Sequence, residues 1–236
     1  MMDVAANWQR VRQRVAQAAE RAGREAQAVC VVAVSKTKPV TMIEQAIAAG
    51  VTDVGENYVQ EAAQKIPQIR ALVRLHMVGH LQRNKAARAV ELFDLIHTLD
   101  SVGLGETLDR LGERRGRPVH VLIEVNAGGE ATKSGVSATD VQGLMVALAD
   151  RCWLSIDGLM IIPPAGGSPE AARPYFRELR ELRDRLRLQA AANAPLRELS
   201  MGMSDDFTVA IEEGATMVRI GRAIFGAREP RLRAQP

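Results

Sequence analysis

Aromatic residues and long apolar runs are both scarce in this chain. Only 3% of its 236 residues are Phe, Trp or Tyr, so a folded core must be built from aliphatic side chains. No run of about 18 apolar residues occurs, and such a run is what a membrane-spanning helix requires. The N-terminus also lacks the apolar stretch of a secretory signal peptide. We therefore expect a cytoplasmic protein with no membrane partner.

Cysteine and lysine are rare as well. The two cysteines, Cys30 and Cys152, have neither CxxC spacing nor the spacing of metal ligands, so no metal site is predicted from them. The chain contains five lysines, Lys36, Lys38, Lys65, Lys85 and Lys133. This short list matters because a lysine amine can condense with a carbonyl group.

The remaining composition is that of a globular protein with a mild basic charge. Hydrophobic residues make up 47% and charged residues 25%, and the formal net charge is +3. The arginine-rich run over residues 173–187 is interleaved with acidic residues, and Glu181 and Arg185 stand at i,i+4 spacing. No aromatic stacking residues accompany it. We interpret it as a solvated helix face paired within itself and expect no nucleic-acid partner.

Strand-like and helix-like segments alternate through the whole chain. Eight apolar, strand-like runs are each followed by a segment with helical periodicity, at residues 29–34, 52–55, 75–78, 95–99, 119–125, 154–161, 197–200 and 217–220. Eight βα units in a chain of this length are typical of a single (β/α)8 TIM barrel. The alternative is an open, doubly wound sheet. We expect one domain over residues 1–236, with an N-terminal helix at about 3–22 and a frayed tail at about 228–236.

In such barrels the active site lies at the carboxyl ends of the strands. Lys36 directly follows the first strand, so we expect it at the barrel mouth and partly desolvated. Desolvation and nearby cations lower the pKa of an amine and leave part of it as a neutral nucleophile. Lys36 is therefore a candidate imine-forming residue, whereas Lys38 is expected to reach solvent.

Two glycine-containing segments follow the last two strands. Ser200 and Gly202 follow the seventh strand, and Arg219, Gly221 and Arg222 surround the end of the eighth. Glycine lets the backbone approach an anion closely, and the helix N-terminus that follows offers unpaired N–H groups. Each glycine taken alone is better explained by a tight turn before a helix. Together, at the positions where barrels hold phosphate, they favour a phosphate site.

Other chemistries are not supported by the spacing of residues. His76 and His80 lie four apart on a strand-to-loop segment, where that spacing does not direct both at one metal ion. Gly202 is followed by Met203, Ser204 and Asp205, which is not the G-x-S-x-G motif of hydrolases. We therefore predict no metal site and no hydrolase.

Several stretches resemble one known family, the pyridoxal phosphate homeostasis (YggS/PROSC) proteins. They cover nearly the whole chain and include Ala33-Val-Ser-Lys-Thr-Lys-Pro39, Gly55-Glu-Asn-Tyr-Val-Gln-Glu61, His76-Met-Val-Gly79, Leu81-Gln82 with Asn84-Lys85, Lys133-Ser-Gly135, Gly158-Leu-Met160, Leu199-Ser-Met-Gly-Met-Ser-Asp205 and Val218-Arg-Ile-Gly221 through Gly226. The resemblance implies a single barrel similar to the N-terminal domain of alanine racemases. It also implies pyridoxal 5′-phosphate (PLP) as the cofactor, carried as a Schiff base on Lys36.

By that resemblance, a set of residues surrounds the cofactor. Asn57 would lie near the ring, Arg219 on the pyridine-nitrogen or phosphate side, and the phosphate would be cradled by Ser200, Met201, Gly221 and Arg222. Many relatives carry Thr or Ser at the position of Arg222. Arg222 cannot offer a hydroxyl to the phosphate, although its backbone N–H could still donate a hydrogen bond.

The resemblance implies a PLP carrier that helps to control the cellular PLP pool without substantial catalysis of its own. An arginine beside the pyridine nitrogen weakens PLP as an electron sink. Two-base racemisation also needs an acid–base residue opposite Lys36, and neither Tyr58 nor Tyr175 is an obvious one. The alternatives are a weak PLP-dependent racemase and a class I aldolase-type barrel. We expect a monomer, with PLP-dependent apo-enzymes as candidate partners.

Overall fold

A computed structural model describes residues 3–126, 134–164 and 166–227. Two features considered from the sequence lie outside the described residues. These are Lys133 and the tail at 228–236.

The strands form one closed parallel barrel. The strands of the described ranges are β1 (Cys30–Val34), β2 (Asp53–Glu56), β3 (Arg74–Met77), β4 (Leu95–Leu99), β5 (Val119–Asn126), β6 (Val136–Ser137), β7 (Leu154–Ile161), β8 (Glu198–Ser200) and β9 (Met217–Ile220). Their order is β4-β3-β2-β1-β9-β8-β7-β5, and β4 also pairs with β5, which closes the ring. The short β6 lies beside β5 outside this ring. The predicted (β/α)8 barrel is therefore confirmed, and the open doubly wound sheet is excluded.

Helices surround the barrel and follow its strands. In the same ranges they are α1 (Val4–Arg21), α2 (Val40–Ala48), α3 (Val59–Lys65), α4 (Ala86–Leu92), α5 (Val102–Arg115), α6 (Val141–Ala147), α7 (Arg173–Arg187), α8 (Phe207–Glu212) and α9 (Arg222–Phe225). Asp3 caps α1 by accepting a 2.9 Å hydrogen bond from the Ala6 N–H, which fixes the start of the expected N-terminal helix. Within the described residues, no helix has the length and apolarity that a membrane crossing needs.

The core is aliphatic, as the scarcity of aromatics requires. Alternate residues of the strands pack outward against the helices, as the alternation of strand side chains dictates. A small cluster of Leu95, Leu122, Met160 and Met217 fills the barrel interior. The interior also holds buried polar side chains, and these lead towards one end of the barrel.

The arginines of α7 are paired differently from the expectation. Arg173, Arg177 and Arg180 all form ion pairs with Glu213, and Arg173 also reaches Glu212. These glutamates lie on or directly after α8, so the pairs join two helices. The arginine face of α7 therefore fastens α7 to α8, which the i,i+4 spacing could not reveal.

Candidate functional site

A cavity of about 490 Å³ opens at the carboxyl ends of β1, β2 and β9. It is lined by Val34, Lys36, Lys38, Asn57, Val78, Ile162, Met203, Ser204, Asp205, Asp206, Arg219, Gly221, Arg222, Phe225 and Gly226. Its volume lies within the range of small-molecule sites. Its position is the one at which barrels of this kind place their active sites.

Lys36 lies on this cavity and is half-buried. It stands two residues beyond the end of β1, and it is followed by Thr37 at φ +64°. A left-handed residue with a branched side chain is uncommon and is retained only where its surroundings hold it. The turn that carries Lys36 is therefore set by contacts from outside the turn.

Three charged residues behind the turn supply those contacts. The Lys65 ammonium donates to the Ser35 carbonyl oxygen at 2.9 Å and lies 2.9 Å from Glu56 Oε1 and 2.6 Å from Glu61 Oε1. Glu56 Oε1 also accepts from the Ser35 hydroxyl at 2.7 Å, and Glu61 Oε1 accepts from the Thr37 N–H at 2.6 Å. Both neighbours of Lys36 in sequence are thus held by one ionic cluster, which we call the lysine clamp.

The energetics of the clamp are those of a buried ion pair. Burial raises the pKa of Glu56, while the Ser35 hydroxyl and the Lys65 ammonium act in the opposite direction. Glu56 is 2% exposed, so its charge is stable there only while Lys65 compensates it. The clamp therefore depends on all of its charges together.

Arg219 lies on the cavity wall, and it is almost fully buried. Its Nη1 donates to the carbonyl oxygen and to the hydroxyl of Ser200, each at 2.7 Å, and its Nη2 donates to the Ile161 carbonyl oxygen at 2.8 Å. Burial lowers its pKa to about 10, against the favourable charges of Glu124 and Asp206. The guanidinium remains positive at neutral pH and presents a fixed cation to the cavity.

Ser200 connects Arg219 to polar residues in the barrel interior. Ser200 Oγ lies 2.9 Å from Nδ1 of His97, and Nε2 of His97 lies 3.0 Å from Nδ1 of His76. The Nε2 of His76 lies 2.9 Å from Oδ1 of Asp53. Burial opposes ionisation of Asp53, but hydrogen bonds from His76 and Thr52 outweigh it and hold the pKa of Asp53 at about 2. We call this series the interior chain.

The glycine segments lie at the mouth, as the sequence predicts, but acidic residues accompany them. Gly202 has φ +89°, and Asp205 and Asp206 follow it before α8 begins. Arg222 forms an ion pair with Asp205 at the rim. Burial raises the pKa of Asp206, which accepts a 2.6 Å hydrogen bond from the Met203 N–H.

The residues present fit a phosphorylated aldehyde such as PLP. Four basic and two acidic side chains line the cavity, an excess of two positive charges that suits a phosphate ester. The buried Oδ1 of Asn57 has no hydrogen-bond partner within the described structure, so it can accept from a ligand. A Cβ at Gly221 would lie 3.1 Å from the Val34 carbonyl oxygen, which is a tight contact, so glycine fits this part of the wall best.

The structure brings most of the predicted site residues together. Lys36, Asn57, Arg219, Gly221 and Arg222 line the one cavity. Ser200 and Met201 are fully buried behind it. Ser200 reaches the site through Arg219, and the Met201 N–H is bonded to the Met217 carbonyl oxygen at 3.1 Å.

The remaining candidates lie apart from the cavity. His80 is half exposed and pairs with Asp100, whereas His76 faces the interior. Tyr58 is 56% exposed and Tyr175 packs at the edge of the main core. Over residues 3–126, 134–164 and 166–227, no three His, Cys, Asp or Glu side chains are grouped so as to hold a metal ion.

Sequence reasoning missed the lysine clamp and the interior chain. The sequence does carry a signal for the interior chain, because Asp53, His76 and His97 are polar residues within apolar strands. Three neighbouring strands with such residues indicate a shared polar interior. No comparable signal marked Glu56, Glu61 or Lys65, because their contacts bring together separate elements.

Comparisons with known proteins identify the family and the fold of the chain. Residues 4–229 match the family model described as alanine racemase, N-terminal domain. A pyridoxal phosphate homeostasis protein of Aquifex aeolicus is 43% identical, over 93% of this chain and 96% of its own. A crystal structure of an unknown protein from Bifidobacterium adolescentis has a TM-score of 0.88 at 35% identity, covering 94% of each chain.

A further solved structure contains a ligand. It is PipY of Synechococcus elongatus with PLP bound, which has a TM-score of 0.79 at 36% identity and covers 90% of this chain and 100% of its own. These similarities extend over nearly the full length of the chain. The chain therefore belongs to the pyridoxal phosphate homeostasis protein family, built on the barrel of the alanine racemase N-terminal domain.

Proposed function

We propose that this protein binds PLP at the barrel mouth through Lys36 and takes part in PLP homeostasis. The observation that carries the proposal is the meeting of Lys36, Asn57, Arg219 and Gly221 on a single cavity. These residues place four groups on the same cavity: an amine, a hydrogen-bond acceptor without a partner among the described residues, a buried cation and a glycine backbone. The PLP-bound relative of similar fold and the naming of the curated relatives support the same function.

In this proposal Lys36 supplies the amine that holds the cofactor. Bound PLP contributes an aldehyde, a phosphate ester and a pyridine ring. Lys36 Nζ forms a C=N bond with the aldehyde carbon, and the aldehyde oxygen leaves as water. The lysine clamp keeps the Lys36 turn in place, while Arg219 and Arg222 provide positive charge for the anionic groups.

We further propose that the protein has little catalysis of its own. The guanidinium of Arg219 stays charged, so a pyridine nitrogen placed beside it remains unprotonated and accepts electrons poorly. No tyrosine, histidine or cysteine of the described residues lines the cavity. A second acid–base residue facing Lys36 is thus not supplied by these groups.

Absorbance and borohydride trapping test the binding proposal. Wild-type protein incubated with PLP should gain a visible absorbance band, and borohydride should fix a pyridoxyl phosphate mass on Lys36. Lys36→Ala should abolish both, and Lys38→Ala should keep both, because Lys38 Nζ is bonded to the Ala227 carbonyl oxygen. A colourless wild type, or an adduct on another lysine, would contradict the proposal. A trapped sugar phosphate would indicate an aldolase instead.

Deuterium exchange separates a carrier from a weak racemase. PLP-loaded protein should exchange the α-deuteron of alanine or serine no faster than free PLP does. Exchange well above that rate, lost in Lys36→Ala, would establish the racemase.

The proposed partners follow from the proposed role. We expect a cytoplasmic monomer that exchanges PLP with PLP-dependent apo-enzymes. Light scattering measures its mass in solution. Transfer is measured as activation of an apo-enzyme by PLP-loaded protein at a rate above that of spontaneous PLP release.

A further inference from the structure

We propose that His97 and His76 are positioning residues that couple Asp53, at the amino-terminal end of the barrel, to Arg219 at the cofactor mouth. The inference rests on the proposed function, in which Arg219 faces bound PLP. It assigns a role to the interior chain, which otherwise is only a set of polar residues in an apolar barrel.

The interior chain crosses the barrel. Asp53 and His76 lie on neighbouring strands, as do His76 and His97, and as do Ser200 and Arg219. His97 on β4 and Ser200 on β8 are on strands that do not pair with each other, so their 2.9 Å contact spans the interior. His76, His97 and Ser200 are each 0% exposed, Arg219 is 4% exposed and Asp53 is 7% exposed.

With both imidazoles neutral, the partners allow a single direction of hydrogen bonding. The Asp53 carboxylate only accepts, so His76 donates to it from Nε2. In a neutral His76 ring, Nδ1 then accepts from Nε2–H of His97.

The same order of donors and acceptors continues from His97 towards the barrel mouth. Nδ1 of His97 accepts from the Ser200 hydroxyl, and the Ser200 oxygen accepts from Arg219 Nη1. Every polar atom of the chain is satisfied by this one arrangement, and it starts from the charge of Asp53.

The reverse direction suits Arg219 less well. If His76 donates from Nδ1, His97 accepts at Nε2 and donates from Nδ1 to Ser200. The Ser200 oxygen then receives hydrogen bonds from both His97 and Arg219, and its own hydrogen loses the His97 acceptor. The Asp53 carboxylate selects against this arrangement, because it accepts from Nε2–H of His76 and so leaves Nδ1 of the neutral ring as an acceptor.

Burial and the surrounding charges keep His97 neutral. Burial lowers the pKa of His97 well below its usual value, and His76, Arg219 and Arg74 act in the same direction. Burial and Asp53 raise the pKa of Cys30 on β1 to about 12, so its thiol stays neutral. Glu124 on β5 and Asp206 act on Arg219, whose positive charge they stabilise.

The first test measures the tautomers directly and needs no variant. In ¹⁵N-histidine-labelled wild-type protein without PLP, NMR should show both His76 and His97 protonated at Nε2, with His97 neutral. Addition of PLP should shift both sets of signals, although neither residue lines the cavity. A charged His97, or a His97 protonated at Nδ1, overturns the proposed direction.

The second test is a double-mutant cycle on PLP affinity. Asp53→Asn removes the carboxylate charge and should raise the Kd for PLP at least threefold, since the His76 tautomer is no longer fixed. His97→Leu cuts the chain and should raise the Kd at least fivefold. In the His97→Leu background, Asp53→Asn should have no further effect.

A matched histidine serves as the control. His120 is half exposed and pairs with Asp157 at 2.8 Å, so His120→Asn should leave the Kd unchanged. If wild type binds PLP but Asp53→Asn binds equally well, or the two effects simply add, the coupling is overturned while the proposed function stands. If wild type takes up no PLP, the proposed function itself fails.

A second variant covers the case in which His97→Leu does not fold. His97→Asn retains an acceptor near the position of Nδ1 but loses the donor to His76. It should keep the Ser200 bond and still abolish the effect of Asp53→Asn. Persistence of that effect would overturn the coupling.

Discussion

The Lys65 ammonium lies 2.9 Å from the carbonyl oxygen of Ser35, the residue directly before Lys36. Lys65 ends α3, and Ser35 follows β1, so two separate βα units meet at this contact. A lysine buried to this extent, with 11% of its side chain exposed, is held there by its carboxylate partners. Lys36, the proposed cofactor lysine, is thus positioned by a second lysine that does not reach the cavity.

Lys65→Met should destabilise the protein and loosen the Lys36 turn. It leaves Glu56 as an uncompensated buried charge, which costs about 3–5 kcal/mol in the free energy of unfolding. PLP uptake should also slow, because Ser35 and Thr37 lose their common anchor. Urea denaturation and the rate of gain of the PLP absorbance measure the two effects.

The double variant Glu56→Gln/Lys65→Met provides the control for that prediction. It removes the uncompensated charge and should recover part of the lost stability, while PLP uptake stays slow. Lys65→Met with wild-type stability and wild-type uptake would show that the clamp has neither role.

Arg219→Ala should weaken PLP retention at least tenfold. Charge-assisted hydrogen bonds contribute about 1.5–3 kcal/mol each, and Arg219 is the buried cation of the site. Arg222→Ala should weaken it only a few-fold, and mainly at low salt, since Arg222 is exposed and pairs with Asp205. Equilibrium dialysis at two salt concentrations measures both.

Ser200→Ala should also weaken PLP retention. Unchanged PLP affinity in both Arg219→Ala and Ser200→Ala would show that the anionic group binds elsewhere.

Gly202→Ala should destabilise the loop that follows β8. An added Cβ would lie 2.5 Å from the Ala210 Cβ and 2.9 Å from the Phe207 Cα, at a φ of +89°. Overpacking and backbone strain of this kind cost about 2–4 kcal/mol together. Gly143→Ala in α6 is the matched control, because nothing lies within 4 Å of its added Cβ. Gly143→Ala should stabilise the protein by about 0.5–1 kcal/mol. The midpoints of thermal denaturation of the two variants should therefore shift in opposite directions.

The ionisation of Asp53 should make the free energy of unfolding depend on pH in the acid range. Its pKa is about 2 in the folded protein and 3.8 as the ordinary value, so its ionised form favours folding above about pH 4. That contribution is lost as the pH falls from about 4 to 2. Relative to wild type, Asp53→Asn should lose about 1–2 kcal/mol at pH 6 and progressively less below pH 4. A difference that does not change with pH would contradict the low pKa.

Some site residues were predictable because their position in the strand repeat fixes their location. Lys36, Asn57, Gly221 and Arg222 each follow a strand, and all carboxyl ends of a parallel barrel meet at one face. Ser200 and Met201 were expected beside the phosphate by the family resemblance. That expectation stays a prediction, and the structure adds that the Ser200 hydroxyl bonds to His97 and Arg219, because its side chain points across the interior. One residue of register decides which way a strand side chain faces.

The sequence by itself determined the barrel and its mouth, because hydrophobic periodicity and the length of each βα unit are local properties of the chain. Only the tertiary structure decided which charges meet. Three sets of contacts join residues that are distant in sequence: Lys65 with Ser35, the α7 arginines with Glu213, and the hydrogen bonds that lead from Asp53 to Arg219. Hydrogen bonds and ion pairs act only over a few ångströms, so their partners are set by how strands and helices pack around the closed sheet.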